Sequence, residues 1–454
     1  MRAARPVVGL VSQPCVHIRA VRASRKVVVA PSVQPARLIA AMGVGSSKAG
    51  GLGVKLPGED HSKCIYLDYN ATTPIFPEVA VEMEPFLWHH FGNPSSAHIF
   101  GAPCADAVKL ARARLATLLG CKTAEIVFTA CGSESDNFAV VGVLSATREA
   151  LKGGLPHVVT TNIEHPAITE CLSALAREGR LSYTEVPVDH EGLITAQQVQ
   201  QAMTENTVLV TVMHSNNEIG TLLPIAEIAK VAHKHGAVMH TDAAQSIGKV
   251  PVKAAEHGAD LVTVVGHKFG APKGVAALYV REGTRIARMI HGGGQEMGRR
   301  AGTENVLLIA GLGRAAELAE SEAAATTAHL KDMRDMLQAL LMDRCKAKNI
   351  EVRVNGPSDD DKRLPNTLSI SIKGLKASQL LQEVSSTLAA SAGSACHSGA
   401  DTVSSVLKAI KLPVEYAVGT LRLSTGRHTT KDDIERAADI IMSAVERQEL
   451  GSIK

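Results

Sequence analysis

Two side chains in this sequence have the type and the setting for covalent chemistry: Lys268 in "VGHKFGAPKG" and Cys396 in "SAGSACHSG". Lys268 directly follows a histidine at the end of the apolar run "ADLVTVV", with glycines and a proline close behind. A lysine amine can form an imine with a carbonyl compound, and a cysteine thiolate is a nucleophile. Most lysines are solvated and a lone cysteine usually fills a core, so neither residue identifies a function alone.

Polar residues also follow several other apolar runs. "FTACGSESDN" ends a predicted strand at Gly132 and Ser133 and then opens a helix, whose N-terminal N–H groups can bind a phosphate. A carboxylate, a flat imidazole and a lysine beside such a phosphate site are what pyridoxal phosphate requires, since they protonate the pyridine nitrogen, stack on the ring and form the imine. The remaining candidates at these strand ends are His165, Asn216, Asn217, Asp242, Gln245 and His267.

The elements that must position these residues alternate along the chain. Short β-rich runs, "EIVFTA", "HVVTTN", "VLVTVMH", "AVMHTDAA" and "ADLVTVVGHK", predict strands. Amphipathic stretches between them, such as "DAVKLARARLATLLG", "AITECLSALAREG" and "IAEIAKVAHKHG", predict helices. The alternation predicts an α/β fold with a mainly parallel sheet, in which ligands bind at the carboxyl ends of the strands.

Length and composition exclude several classes of protein. With 454 residues the chain is about three times the usual domain length, which favours two domains. A net charge of +3 and 3% aromatic residues argue against nucleic acid as a partner, and no apolar run approaches the roughly 20 residues that span a membrane. The eight cysteines contain no CxxC pair, and His233 and His235 fit a solvated helix end, so we expect no metal site.

Residues 1–60 differ in composition from the rest of the chain. No Asp or Glu occurs before Glu59, while Arg19, Arg22, Arg25 and Lys26 lie among Ala, Val and Ser. This is typical of an organelle transit peptide, and "AVRASRKVVVA" favours a chloroplast over a mitochondrion. The alternative is a disordered basic tail that carries no address.

A series of ordered motifs carries a resemblance to a known family. In order, the chain contains "YLDYNATTP", "FGNPSS", "FTACGSESDN", "EHPA", "NNEIGT", "HTDAAQSIGK", "GHKFGAPKG", "HGGGQEMGRRAGTEN", "LPNTLSIS", "SAGSACHSG" and "LRLSTGR". From about residue 64 to its end, the sequence resembles the NifS/IscS-type cysteine desulfurases and the related selenocysteine lyases. The resemblance implies a fold type I pyridoxal-phosphate enzyme that works as a homodimer. It also implies a large cofactor-binding domain, 61–324, whose first residues pack on a smaller C-terminal domain, 325–454.

The resemblance assigns roles to individual residues. Lys268, and not Lys273, matches the lysine that carries the cofactor, and Asp242 matches the partner of the pyridine nitrogen. Gln245 matches a contact to the ring hydroxyl, while His165 matches the imidazole that stacks on the ring and moves protons. The remaining matches are Gly132, Ser133 and His267 for the phosphate, Asn217 for the cofactor and the substrate, Thr303 supplied by the other subunit, and Arg422 for the substrate carboxylate.

One position departs from the bacterial pattern. Bacterial desulfurases place a serine three residues before the lysine as a phosphate donor, whereas this chain has Val265. Animal selenocysteine lyases also have an apolar residue there. One phosphate contact is therefore expected to be lost or replaced.

Cys396 matches the cysteine that takes sulfur from the substrate as a persulfide, on a loop that the resemblance implies is flexible. An acceptor protein would then receive the sulfur, for iron–sulfur clusters or another sulfur-containing cofactor. Cys131 and Cys104 are expected to be structural.

The resemblance leaves the choice between sulfur and selenium open. "ACHS", "VVGHKF" and "GGGQE" resemble animal selenocysteine lyases, but those enzymes have Asp where this chain has Pro166, and many bacterial desulfurases read "GSACHSG". We expect a cysteine desulfurase, with a selenocysteine lyase as the alternative. A catalytically inactive sulfur-transfer scaffold is disfavoured because Lys268, Asp242, His165 and Cys396 are all present, and a class V aminotransferase would not need Cys396.

Overall fold

A computed structural model of the chain describes residues 64–147, 151, 154–397 and 400–452. The transit peptide expected over residues 1–60 lies outside the described residues. The strands are β1 (Ile65–Tyr66), β2 (Ile126–Thr129), β3 (His157–Thr161), β4 (Ser182–Val186), β5 (Thr207–Thr211), β6 (Val238–Asp242), β7 (Leu261–Val265), β8 (Ala276–Val280), β9 (Val352–Asn355), β10 (Thr367–Ile372), β11 (Leu388–Ala389), β12 (Ser391–Ala392), β13 (Ser394–His397), β14 (Ala400–Val403) and β15 (Thr420–Ser424).

The α-helices alternate with these strands in the first part of the described chain and are longest in the second. They are α1 (Pro77–Trp88), α2 (Gly101–Leu119), α3 (Gly132–Thr147), α4 (Pro166–Arg177), α5 (Ala196–Ala202), α6 (Ile225–Lys234), α7 (Ala254–His257), α8 (Val306–Ser321), α9 (Ala323–Ala347), α10 (Ala377–Glu383), α11 (Ser405–Ala409), α12 (Val414–Ala417) and α13 (Lys431–Ser452).

A seven-stranded sheet in the order β2-β8-β7-β6-β5-β3-β4 forms the larger layer. β7, β6, β5, β3 and β4 run parallel to one another, whereas β8 is antiparallel to both β2 and β7. The five predicted strands form β2, β3, β5, β6 and β7, and the three predicted helices form parts of α2, α4 and α6. The prediction of an α/β fold with a mainly parallel sheet is therefore confirmed.

Both faces of this sheet are buried, which explains why its strands are apolar runs rather than alternating ones. Successive residues point to opposite faces. Val127 and Val158 pack in a cluster with residues of α3 and α4, whereas Phe128 and Val159 pack on the other face with residues of α2, α6 and α8. The paired layers fix the strand ends, where the candidate site residues lie.

A second, four-stranded antiparallel sheet, β12-β15-β10-β9, lies in the C-terminal part of the chain. It has its own apolar cluster, which includes residues of α9 and α13. Ile65 and Leu67 belong to this cluster, and β1 pairs with β11. The start of the described chain thus packs on its C-terminal part, while the boundary between 324 and 325 stays a prediction that falls inside α9.

The cysteine candidate lies in a two-stranded antiparallel hairpin. β13 pairs with β14 so that Cys396 is opposite Asp401. The hairpin follows β12 and precedes α11, so it leaves and rejoins the C-terminal sheet region. No helix among the described residues combines the length and the apolar character needed to cross a membrane.

Candidate active site

The structure brings nine of the predicted site residues to one cavity. The cavity has a volume of about 370 Å³ and lies at the carboxyl ends of β5, β6 and β7. Its lining includes the backbone and side chains on which a cofactor would rest. The predicted residues in this lining are Gly132, Ser133, His165, Asn217, Asp242, Gln245, His267, Lys268 and Arg422.

Lys268 ends a short 3₁₀ turn, Gly266–Lys268, that begins directly after β7. Its Nζ donates hydrogen bonds to the carbonyl oxygens of Asn70 at 2.7 Å and Ala71 at 2.9 Å. Burial and the positive charge of Arg422 lower the pKa of the Lys268 amine to about 8, against the opposing effect of Asp242. A substantial fraction of this amine is therefore neutral near physiological pH, as a nucleophilic amine must be.

Asp242 is the last residue of β6 and is 7% exposed. One carboxylate oxygen accepts a hydrogen bond from the backbone N–H of Ala244 at 2.8 Å. Burial raises the pKa of Asp242, while this hydrogen bond and the charges of His165 and Lys268 oppose the rise. A cation bound beside the carboxylate would favour its ionised form, which is what a protonated pyridine ring provides.

His165 has a double role at the start of α4. Its Nδ1 accepts a hydrogen bond from the backbone N–H of Ala167 at 3.1 Å, so the imidazole caps the helix, and Pro166 takes the first helical position. Burial is the main cause of a lowered pKa of His165. A neutral imidazole that accepts at Nδ1 carries its proton on Nε2, which leaves an N–H available to the cavity.

Gly132 and Ser133 begin α3 directly beyond β2, where helix N–H groups are unpaired within the helix. A Cβ atom at position 132 would lie 2.7 Å from a methyl carbon of Val265. Val265 is 5% exposed, so its side chain packs beneath the glycine. The apolar residue that replaces the bacterial serine therefore supports the helix start through packing.

His267 lies between Val265 and Lys268 and is tied to the loop after β1. Its Nδ1 lies 3.1 Å from the hydroxyl of Thr72. Burial and the charges of Lys268 and Lys273 lower the pKa of His267 to about 4, so its ring is neutral at physiological pH. A neutral ring can donate one N–H to a phosphate and does not add a charge.

Asn70 connects more of the site than any residue that the sequence analysis singled out. It is 1% exposed and lies in the loop between β1 and α1. Both ends of its side chain and both backbone polar groups are hydrogen-bonded. The partners are Ser424 Oγ (2.9 Å), Asn217 O (3.2 Å), Thr367 Oγ1 (2.8 Å), Lys249 Nζ (3.4 Å), Asn366 Nδ2 (3.0 Å), Gln245 Nε2 (2.9 Å) and Lys268 Nζ (2.7 Å).

Gln245 is fixed by a buried lysine that the sequence analysis did not single out. Lys249 Nζ donates to Gln245 Oε1 at 2.9 Å and to the Gln245 carbonyl at 3.0 Å. The amide nitrogen of Gln245 lies on the other side, where it donates to the Asn70 carbonyl at 2.9 Å. Burial lowers the pKa of Lys249 well below its usual range.

Two further buried acids lie next to the site. Burial raises the pKa of Glu164 to about 8, and burial together with the charge of Asp242 raises the pKa of Asp136. Asp136 lines the cavity, and its Oδ1 has no hydrogen-bond partner among the described residues. Their only sequence signal was the placement of Asp136 in "GSESDN" and of Glu164 in "EHPA", beside residues that were selected.

Arg422 reaches the cavity from β15 in the C-terminal sheet. Its Nη2 donates to Asp68 Oδ1 at 2.9 Å and to Ser391 Oγ at 2.8 Å, and its Nη1 donates to the Asn217 carbonyl at 3.3 Å. Its Nε is buried and has no partner among the described residues. Part of the guanidinium group is thus fixed, and an N–H remains for a ligand.

Two predicted residues, Thr303 and Cys396, remain to be placed in the fold. Thr303 lies on an exposed loop between the 3₁₀ turn Glu296–Gly298 and α8, and its expected role requires a second subunit. Cys396 lies in the β13–β14 hairpin. Cys131, which we expected to be structural, is exposed and lines the cavity because it directly precedes Gly132 at the end of β2.

No group of three potential metal ligands occurs among the described residues. His233 was expected to be a solvated helix end. It does lie in the last turn of α6, but its Nε2 also lies 2.9 Å from Asp260 Oδ2. Asp260, which directly precedes β7, is thus a partner for the His233 ring, whereas we expected the ring to be solvated.

The residues at the cavity fit pyridoxal phosphate. The start of α3 offers N–H groups for a phosphate, and Asp242 is a buried carboxylate that a pyridinium nitrogen would neutralise. Asp136 adds a buried oxygen that has no hydrogen-bond partner in the described part of the chain, although His240 Nε2 lies 3.7 Å from it. The Lys268 amine lies in the same cavity with its pKa lowered.

Comparisons with known proteins agree with this geometry. The chain matches the aminotransferase class-V family over residues 65–437. It is 41% identical over 384 residues to a protein named cysteine desulfurase IscS from Dictyoglomus turgidum, and the aligned region covers 84% of this chain and 95% of that protein. It is 42% identical over 384 residues to a protein named cysteine desulfurase 1 from Trichormus variabilis, covering 84% and 93%.

Solved structures show the same relationship. A structure described as a NifS-like protein superposes with a TM-score of 0.76 at 32% identity, and covers 85% of this chain and all of that one. A second, described as SspA in complex with cysteine, has a TM-score of 0.68 at 35% identity, covering 80% and 99%. The chain therefore belongs to the class-V aminotransferase family, and within it to the pyridoxal-phosphate-dependent cysteine desulfurases of the NifS/IscS type.

Proposed function

We propose that this desulfurase transfers the sulfur atom of L-cysteine to Cys396 and from there to an acceptor protein. The observation that carries the proposal is that Lys268, Asp242 and Arg422 line one cavity. These residues supply an amine with a lowered pKa, a buried carboxylate and a guanidinium group whose Nε has no hydrogen-bond partner among the described residues. Together they suit a cofactor and an amino-acid substrate.

Each of these residues has a defined task. Arg422 binds the substrate carboxylate through charge-assisted hydrogen bonds, for which the planar guanidinium is suited. Lys268 binds the cofactor and exchanges protons with the substrate carbon from within the cavity. His165 presents its Nε2 proton to the cavity. When bound, pyridoxal phosphate accepts the electron pair released at the substrate carbon.

The sulfur transfer is balanced without an added oxidant. The thiolate of Cys396 attacks the substrate sulfur, an S–S bond forms and the carbon–sulfur bond breaks. The bonding electrons stay with the carbon skeleton, which takes up protons and leaves as L-alanine. Cys396 gains one sulfur atom as a persulfide, and a covalent acceptor of this kind avoids the release of free sulfide.

The names of the relatives favour cysteine over selenocysteine as the substrate. The solved SspA structure is described as a complex with cysteine, which is the same substrate class. A scaffold without activity would not need the complete set of cavity residues. We therefore retain the desulfurase as the proposed function and do not advance the selenocysteine lyase.

We also propose that the protein works as a homodimer in which Thr303 enters the partner's site. Exposed apolar side chains support an interface on the described surface, because Trp88, Phe91 and Ile99 are 71%, 78% and 81% exposed and Phe91 stacks on Phe100.

We propose further that the protein is imported into a chloroplast, with a mitochondrion as the alternative. The segment 1–58, which contains no acidic residue, supports this proposal.

Replacing Lys268 tests the proposed function directly. We expect Lys268→Ala to lose the visible absorption of the bound cofactor and the release of alanine from L-cysteine. Lys273→Ala is the matched control, since Lys273 is exposed and only five residues away. Full alanine release by Lys268→Ala, or equal losses in both variants, would show that the cofactor lysine is assigned wrongly.

A further inference from the structure

One backbone hydrogen bond closes the base of the hairpin that carries Cys396, and a second joins this base to β15. Ser404 N donates to the Gly393 carbonyl at 3.0 Å, and Gly393 N donates to the Thr420 carbonyl at 2.8 Å. Gly393 and Ser404 therefore form the base of the β13–β14 hairpin beside β15. The position of this base limits where Cys396 can be presented.

A carboxylate beside the cofactor cavity holds the C-terminal side of this base. Ser404 Oγ donates to Glu218 Oε2 at 2.7 Å. Glu218 directly follows Asn217, which lines the cavity and accepts a hydrogen bond from Arg422. The bond thus joins the segment after β5 to the hairpin, across 186 residues of sequence.

Ser404 has a second task in the fold. Its Oγ accepts a hydrogen bond from Leu407 N at 3.1 Å and so caps α11. A cap needs only an acceptor, which Asp provides as well as Ser. The hydroxyl proton of Ser404 is therefore free for Glu218, and the two tasks can be separated by substitution.

The N-terminal side of the hairpin is held in a similar way. Ser391 lies two residues before Gly393, and its Oγ donates to Asp68 Oδ1 at 2.9 Å. Arg422 Nη2 contacts both of these groups. A second cavity of about 180 Å³ lies between the two anchors and is lined by Glu218, Ser391, Gly393, Ser404 and Arg422.

The charge of Arg422 acts on Glu218 as well as on the substrate site. Burial raises the pKa of Glu218, while the hydrogen bond from Ser404 and the Arg422 charge lower it. Both carboxylates that hold the hairpin, Asp68 and Glu218, therefore lie in the field of the residue that binds the substrate carboxylate. The hairpin base is thus held in a defined position relative to the guanidinium group of Arg422, which we propose binds the substrate.

We propose that Glu218 is a positioning residue for Cys396: its hydrogen bond with Ser404 fixes the hairpin base beside Arg422, so that the thiol meets the sulfur of a substrate held by that arginine. The inference rests on the proposed function, in which Cys396 accepts the sulfur. The lining of the cofactor cavity does not include Glu218. Its loss should therefore slow sulfur transfer without altering the cofactor or the binding of cysteine.

The test uses Ser404→Asp in the holoenzyme. Asp keeps the cap of α11 but places a second carboxylate against Glu218, so the hydrogen bond is lost. We expect the maximal rate of persulfide formation on Cys396 to fall about tenfold or more, the scale of a lost hydrogen bond to a charged group. The cysteine concentration for half-maximal rate and the cofactor absorption should not change.

The double variant Ser404→Asp with Glu218→Gln is the matched control. The amide that Glu218→Gln introduces can donate to the new carboxylate, so the double variant should recover most of the rate that Ser404→Asp loses. Glu218→Leu removes the acceptor without changing the cap and should slow persulfide formation as Ser404→Asp does. Mass spectrometry of the Cys396 peptide and visible absorption after addition of L-cysteine give the two readouts.

Three results would overturn the inference. Glu218→Leu could form the persulfide at the wild-type rate, the double variant could show no recovery, or the variants could change the cofactor absorption as much as the rate. If the proposed function itself were wrong, the result would be different, because even the wild-type holoenzyme would then place no sulfur on Cys396.

Discussion

The residue that we propose determines the chemistry of this site is Lys268, an amine that burial keeps partly neutral. Its pKa of about 8 is caused mainly by burial and secondly by Arg422, while Asp242 and Asp68 oppose the shift. An unfolded lysine keeps its proton to a pH of about 10.4. Between these two values the folded chain binds fewer protons than the unfolded chain, so the Lys268 contribution to stability rises with pH across that window.

The same shift predicts the pH dependence of cofactor uptake. The amine must be neutral to react, so the rate of covalent uptake of pyridoxal phosphate by cofactor-free protein should rise with a midpoint near pH 8. The growth of visible absorption after mixing measures this rate. As a control, the reaction of free pyridoxal phosphate with n-butylamine is followed over the same pH range. It shows how titration of the cofactor itself changes the rate, so that this effect can be separated from the titration of Lys268. A midpoint near 10.5 would show that burial does not act on Lys268 in this way.

At the scale of elements, the site depends on one loop that links the two sheets. The loop between β1 and α1 carries Asn70, which bonds to residues of the large sheet region and of the C-terminal sheet. Asn70→Ala removes four side-chain hydrogen bonds and leaves buried partners unpaired. Each loss costs about 1 kcal/mol, so unfolding should become easier by roughly 2–4 kcal/mol.

Urea unfolding followed by circular dichroism measures this change. Asn206→Ala is a suitable control, since Asn206 is exposed and its replacement should change stability by less than about 0.5 kcal/mol. Equal unfolding midpoints for both variants would contradict the central role of Asn70.

The elements were predictable because each has a local signal. Strands buried on both faces appear as short apolar runs, and the rule that ligands bind at their carboxyl ends gathered Asp242, His267 and Lys268 correctly in one cavity. Asn70 and Glu218 were missed because their partners are far away in sequence, and Lys249 was missed because a lysine four residues after Gln245 gives no sign of its burial. Asn70 bonds to Thr367 across 297 positions, a relation that no local pattern reports, although all three residues lie inside recognised motifs.

At the scale of the whole molecule, the chemistry requires two parts of the chain to meet. In the proposed reaction the large sheet region provides the cofactor site, while β15 and the hairpin of the C-terminal part carry Arg422 and Cys396. Cys131 lies at the cavity and is exposed, which makes it the competing thiol within the described residues. Cys131 is therefore the alternative to Cys396 as the thiol that accepts the sulfur.

Location of the transferred sulfur tests the account most directly. The holoenzyme is treated with one equivalent of L-cysteine without reductant, and its peptides are measured by mass spectrometry beside the alanine released. We predict that the Cys396 peptide gains one sulfur atom in proportion to the alanine, that Cys131→Ser behaves like the wild type, and that Cys396→Ser loses both products. Sulfur on Cys131, or alanine formed by Cys396→Ser at the wild-type rate, would contradict the account.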